Sequence, residues 1–187
     1  TKLNPVSNSG GPGGSSSTGT TLDHGRDKHT DVTRYKFYPF YNDVNANAAL
    51  ALFQAHSFVN MPDAVITEVP VEFRVPDDFV SFTSMKLVWS ATNAAAARNM
   101  YWRLTAGYGT AGESFRNTLE AAAYGVTAWT ASEIIHEQTG ANALTMATLG
   151  LGDYVGVKVW RDGGHVNDTI GATVKAFGIL LTYVADH

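Results

Sequence analysis

Residues 65–75 read VITEVPVEFRV, with apolar and polar side chains alternating from Val65 to Val75. A period of two belongs to a strand that buries one face. Pro76-Asp77-Asp78 then supplies a turn. The same period returns in FTSMKLVWSA (82–91), where Met85, Leu87 and Trp89 share a face although Val88 blurs the pattern. In NMYWRLTAGY (99–108) it sets Met100, Trp102, Leu104 and Ala106 against Tyr101, Arg103 and Thr105. In YVGVKVWR (154–161) it sets Val155, Val157 and Val159 opposite Trp160. Aromatic-rich YKFYPFY (35–41) reads as a first strand, with Pro39 suited to an edge or a bend. VTAWTASEIIHEQ (126–138) and IGATVKAFGILLTYV (170–184) are strand-like, and Leu151-Gly152-Asp153 is a tight turn.

Elsewhere the pattern is weaker. The Ala- and Leu-rich ANAALALFQA (46–55) favours a short helix. Residues 109–125 read as loop with a helical turn at NTLEAAA, and 144–149 as a short strand or a turn of helix. About eight strands without alternating helices exclude a parallel βαβ sheet. The expected fold is all-β: a jelly-roll-like antiparallel β-sandwich over 35–187, with an extended N-terminal arm over 1–34. A seven-stranded immunoglobulin-like sandwich is the nearest competitor.

The arm differs in composition. TKLNPVSNSGGPGGSSSTGTT (1–21) holds one Leu, one Val and no aromatic residue, too little apolar surface to offset the entropy of ordering it. It is expected to dock on a neighbouring subunit, with Leu3, Pro5, Val6 and Leu22 as its apolar contacts. Across the 187 residues, 13 Lys and Arg face 17 Asp and Glu, a net charge of −4 that argues against nucleic acid as a partner. Only 16% of residues are charged, which fits a surface partly covered by other subunits. Cysteine is absent, so disulfides and thiolate chemistry are excluded. No apolar run reaches membrane-spanning length, and the first residues lack the apolar core of a signal peptide.

Few residues offer chemistry. His24 and His29 alternate with Asp23, Asp27 and Asp31, ligand types that suit zinc or another divalent ion but equally a polar hinge. The loop DGGHVND (162–168) carries Asp162 and Asp168, oxygen donors of the calcium type, without the spacing of an EF-hand. Gly163-Gly164 more simply makes it a hairpin turn. His136 falls on the opposite strand face from Glu133 and Glu137, while Glu113, Glu120 and Asp153 are scattered. No nucleophile elbow or phosphate loop occurs, so no catalytic residue and no cofactor is expected. Of the tryptophans Trp89, Trp102, Trp129 and Trp160, Trp160 is the one opposite an apolar stripe. Trp160 and Tyr108 are the candidate exposed aromatics, able to stack on sugar rings.

The segment DHGRDKHTD (23–31) resembles His/Asp/Gly junctions of bacteriophage virion proteins that join an attachment arm to a β domain. VPDDF (75–79), KLVWSA (86–91), YWRL (101–104), LGLGDYVGVKVWRDG (149–163), DT (168–169) and the terminal LLTYV resemble a β-sandwich recurrent in phage structural proteins. The resemblance spans about residues 23–184 and transfers no catalytic or ligand residue. It implies a virion component, foremost a capsid decoration protein. Its partners would be other copies of itself, as a homotrimer, and the major capsid or other virion proteins, with neither nucleic acid nor membrane. It would be assembled in the host cytoplasm. The alternatives are a subunit of an extracellular filament built by strand exchange, and a glycan- or receptor-binding module of a tail or head fibre.

Overall fold

The computed structural model describes residues 31–41, 49–53, 56–91, 98–112, 120–126, 134–139 and 144–186. Ten strands follow one another: β1 (Val32–Pro39), β2 (Ala49–Phe53), β3 (His56–Met61), β4 (Ile66–Arg74), β5 (Phe79–Ala91), β6 (Tyr101–Gly109), β7 (Glu120–Val126), β8 (His136–Thr139), β9 (Tyr154–Asp162) and β10 (Val174–Ala185). The fold is an antiparallel, jelly-roll-like β-sandwich. One sheet has the order β2-β3-β10-β5-β8 with β1 also on β10, and the other has the order β4-β9-β6-β7.

β10 organises the six-stranded sheet. One edge pairs with β5 along its length. The other edge is shared: β3 takes Val174–Ala176 and β1 takes Gly178–Ala185. The handover falls at Gly178, where a Cβ would lie 2.3 Å from the Tyr38 carbonyl oxygen and 2.8 Å from the Pro39 Cα. Only glycine lets β1 lie that close.

The alternating stripes form the core. Val69, Val71 and Phe73 from β4 meet Leu87 and Trp89 from β5, Trp102 and Leu104 from β6, Val157 and Val159 from β9, and Ile179 and Leu181 from β10. Burial of a large side chain contributes roughly 1.5–3 kcal/mol, so this stripe is the main source of cohesion. Tyr38 stacks on Phe73, with ring centroids 4.0 Å apart, and closes the core beneath β1.

Four expectations are corrected. Residues 49–53 form strand β2 on β3 instead of a helix. Pairing with a formed neighbour outweighs the modest helix propensity of Ala and Leu. Residues 120–126 form strand β7 instead of loop or helical turn. Residues 144–149 form neither strand nor helix, only coil ending in a turn. β1 begins at Val32, inside the segment assigned to the arm, because Val32–Arg34 find partners in Tyr183–Ala185. The rest of the arm, with Leu3, Pro5, Val6, Leu22, His24 and His29, lies outside the described residues, as do Glu113, Trp129 and Glu133.

Candidate functional site

The outward face of the four-stranded sheet carries a groove. Residues paired across strands share a face, so Glu72 of β4, Gly156 of β9 and Gly107 of β6 lie in one row. A Cβ at Gly156 would meet nothing within 4 Å, so the two glycines make a low floor. Glu72, Arg74, Tyr154 and Gly156 line a hollow of about 320 Å³ above it. Tyr154, 54% exposed, forms one wall.

A second hollow, of about 330 Å³, lies on the other side of β4, between Tyr38, Pro39, Tyr41, Pro70 and Glu72. Tyr41 is 68% exposed. Glu72 lines both hollows, so the groove has a tyrosine in each half and a carboxylate between them. Each hollow is within the usual size of small-ligand sites. The Arg74 guanidinium, 2.6 Å from Asp77, stands at the same margin. These groups offer two aromatic faces, a hydrogen-bond acceptor and a donor. Sequence reading missed them because Tyr41 lies two residues beyond β1 and Tyr154 opens β9, where alternation is least informative.

Trp160 occupies the same outward face as Tyr154, as its period predicts. Its ring is half-buried, with the Arg103 guanidinium over it at 4.4 Å from the centroid. Tyr101 meets it edge-on at 5.9 Å and stacks its own ring on His165 at 3.6 Å. Lys158, beside it, is paired with Glu68 at 3.1 Å. Tyr108 is corrected: it is only 4% exposed and faces the core, with its hydroxyl 2.9 Å from Thr148 Oγ1. The period already contained this, since Tyr108 continues the stripe of Met100, Trp102, Leu104 and Ala106.

In the 162–168 loop the candidate oxygen donors are engaged by protein groups. Both Asp168 oxygens are committed to Arg161, Oδ2 to Nε at 2.9 Å and Oδ1 to Nη2 at 3.0 Å. Oδ2 also accepts the Tyr101 N–H at 3.1 Å. Both side chains of the ion pair are fully buried. Arg161 Nη1 donates to the carbonyls of Met61, Pro62 and Ala172. Arg161 thereby ties the β3–β4 and β9–β10 connections to the start of β6. Asp162 accepts the Gly164 N–H at 3.1 Å, an ordinary turn contact. Among the described residues no three His, Asp or Glu side chains are placed to hold a metal ion.

No acid–base pair emerges among the described residues. Asp153 caps a turn, accepting the Gly150 N–H at 2.8 Å and the Thr110 hydroxyl. His136 stacks on Trp89, and burial lowers its pKa. Glu137 pairs instead with Lys86 at 3.2 Å. Next to β1, Asp78 accepts from Tyr183 and Arg34.

No protein-family model matches the chain, and no curated protein matches it in sequence. Among solved structures it is similar to a family 35 carbohydrate-binding module from Clostridium thermocellum, at 16% identity and a TM-score of 0.42, over 79% of this chain and 97% of that one. It is similar to TmCBM61, solved with β-1,4-galactotriose, at 7% identity and a TM-score of 0.31, over 81% and 88% of the two chains. A third similarity is to CBM4, at 16% identity and a TM-score of 0.29, over 81% and 92%. None of the three is described as a virion protein. At such TM-scores the likenesses carry no functional weight, and the reading below rests on the groove itself.

Proposed function

We propose that this chain is a non-catalytic carbohydrate-binding β-sandwich that takes sugar rings in the groove crossing β4. The observation that carries this reading is the pair of exposed tyrosines, Tyr41 and Tyr154, on either side of Glu72 over a glycine floor. A sugar ring has an apolar C–H face and a rim of hydroxyls. Tyrosine presents a flat apolar ring with a polar tip, and Glu72 and Arg74 supply an acceptor and donors for the rim. The low floor at Gly156 and Gly107 gives a ring room to approach the sheet.

A glycan array probed with the full chain tests it. Binding is expected to at least one polysaccharide class, and Tyr154→Ala is expected to weaken it tenfold or more, about 1.4 kcal/mol. Phe37→Ala, on the other sheet, should leave it unchanged. An array without signal, or a Tyr154→Ala variant that binds like the parent, rejects the reading.

A second reading, an assembly subunit of a virion or filament, is favoured by one observation. The outward face of the six-stranded sheet carries Tyr35, 67% exposed, and Phe37, 45% exposed, and exposed apolar patches mark interaction surfaces. Light scattering on the full chain distinguishes the two: this reading requires a trimer or larger species, with or without capsid shells present.

A further inference from the structure

The two outward faces differ in chemistry. On the four-stranded sheet the outward face mixes charged, polar and glycine positions with Tyr101, Tyr154 and Trp160, and Ile66 and Pro70 lie on its edge strand β4. On the six-stranded sheet Tyr35 pairs with Thr182 and Phe37 with Leu180, and Val88 pairs with Gly178 on the neighbouring strand. Beside them Phe177 stands edge-on to Phe58 at 6.0 Å and to His56 at 6.4 Å. Phe37, Pro39, His56, Val88, Ile135 and Phe177 border an apolar hollow of about 360 Å³. Ile135 is 57% exposed. Such a surface in water calls for an apolar occupant.

The chain carries a suitable one. We infer that Leu3, Pro5 and Val6 of the same chain dock in this hollow. Residues 1–31 join the sheet at β1, the strand that supplies Phe37 and Pro39 to the hollow. Between residues 1 and 21, Leu3 and Val6 are the only aliphatic side chains larger than alanine, set beside Pro5 at the far end of a Gly/Ser-rich stretch. An apolar cluster on an inert tether is the pattern of a docking segment. The reach fits. Val6 and Val32 are separated by 25 residues, for which a Gly/Ser-rich chain spans roughly 25–30 Å. The Val32-to-Phe37 distance along β1 is about 17 Å. A tether of this length holds its end at an effective concentration of order millimolar. That favours docking on the same chain over docking on another at micromolar protein. The proline ring and branched side chains suit a site walled by Phe37 and Phe177.

The absence of native cysteine makes the test clean. A Val6→Cys/Ser57→Cys variant of the full chain places one thiol on the segment and one at the hollow's margin. Mild oxidation is expected to form an intramolecular disulfide at least tenfold faster than in a Val6→Cys/Thr105→Cys control, whose second thiol is on the opposite sheet. Equal rates, or cross-links formed only between chains, overturn the inference. A Leu3→Ala/Val6→Ala variant, which alters no described residue, gives a second readout. Its binding of an apolar fluorescent dye is expected to rise at least twofold, and unchanged dye binding also overturns the inference.

Discussion

Replacing Asp168 by Ala should cost this fold a large part of its stability. The Arg161 guanidinium is fully buried, and so is the carboxylate that neutralises it. The variant keeps the three carbonyl acceptors on Nη1, strips Nε of its acceptor, and leaves Nη2 only the half-exposed Asp63 carboxylate at 3.7 Å. It also removes the Oδ2 acceptor of the Tyr101 N–H at the start of β6. Breaking a buried pair from one side costs about 3–5 kcal/mol, against a total of about 5–15 kcal/mol for a domain. With a urea slope of about 2 kcal/mol per molar, a loss of about 4 kcal/mol lowers the unfolding midpoint by about 2 M. Urea titration followed by tryptophan fluorescence measures this directly. An Arg161→Met/Asp168→Leu variant should recover part of the loss, because no uncompensated charge is left buried. A midpoint shift below about 0.5 M would show that the pair does not hold the loops. A parent protein that loses as much midpoint on chelator treatment would return the loop to the role of calcium site.

Three other outcomes follow from local geometry. Gly178→Ala drives a Cβ into the backbone of Tyr38 and Pro39; overpacking of this kind costs about 1–3 kcal/mol or more, and amide hydrogen exchange should show β1 losing protection before the rest of the sheet. Burial, reinforced by Tyr183 and Asp78, pushes the Tyr38 phenol up to about 12. The unfolded phenol ionises near 10, so the fold holds the proton longer. Its contribution is complete below pH 10 and is lost as pH rises through 12. Midpoints of Tyr38→Phe should therefore fall less steeply between pH 10 and 12 than those of the parent, and parallel profiles would contradict the assignment. His136 has a pKa lowered by burial, so its contribution is present above pH 6.5 and is lost on acidification; His136→Gln should flatten the decline in stability below that pH, as read by thermal melts.

Much of the fold was legible because alternation survives wherever one face is buried. β4, β6 and β9 read correctly for that reason, down to the core stripe of Met100, Trp102, Leu104 and Ala106. β2 and β7 were not legible. Their Ala-rich sequences carry little period, and they become strands through pairing with β3 and β6. The site was less legible than the fold. Trp160 was placed on the right face, but its cover by Arg103 depends on which strand lies beside β9, a matter of topology. The Tyr41–Glu72–Tyr154 groove joins residues from three distant parts of the chain. Only the sheet order brings them together. Asp168, one of the loop's oxygen donors in the sequence, reaches outside its loop to the Tyr101 N–H and is otherwise taken up by an ion pair. Its buried partner Arg161 looked like the polar end of a strand.

The measurement that bears most directly on the binding face is amide chemical-shift mapping of the full chain titrated with a soluble oligosaccharide from its strongest array hit. The account predicts that the shifting amides cluster at Tyr41, Val71–Arg74, Gly107 and Tyr154–Gly156, and that Tyr154→Ala raises the oligosaccharide concentration needed to saturate the shifts tenfold or more. Shifts confined to the outward face of the six-stranded sheet, around Phe37 and Phe177, would place the ligand on the other side of the sandwich and contradict it.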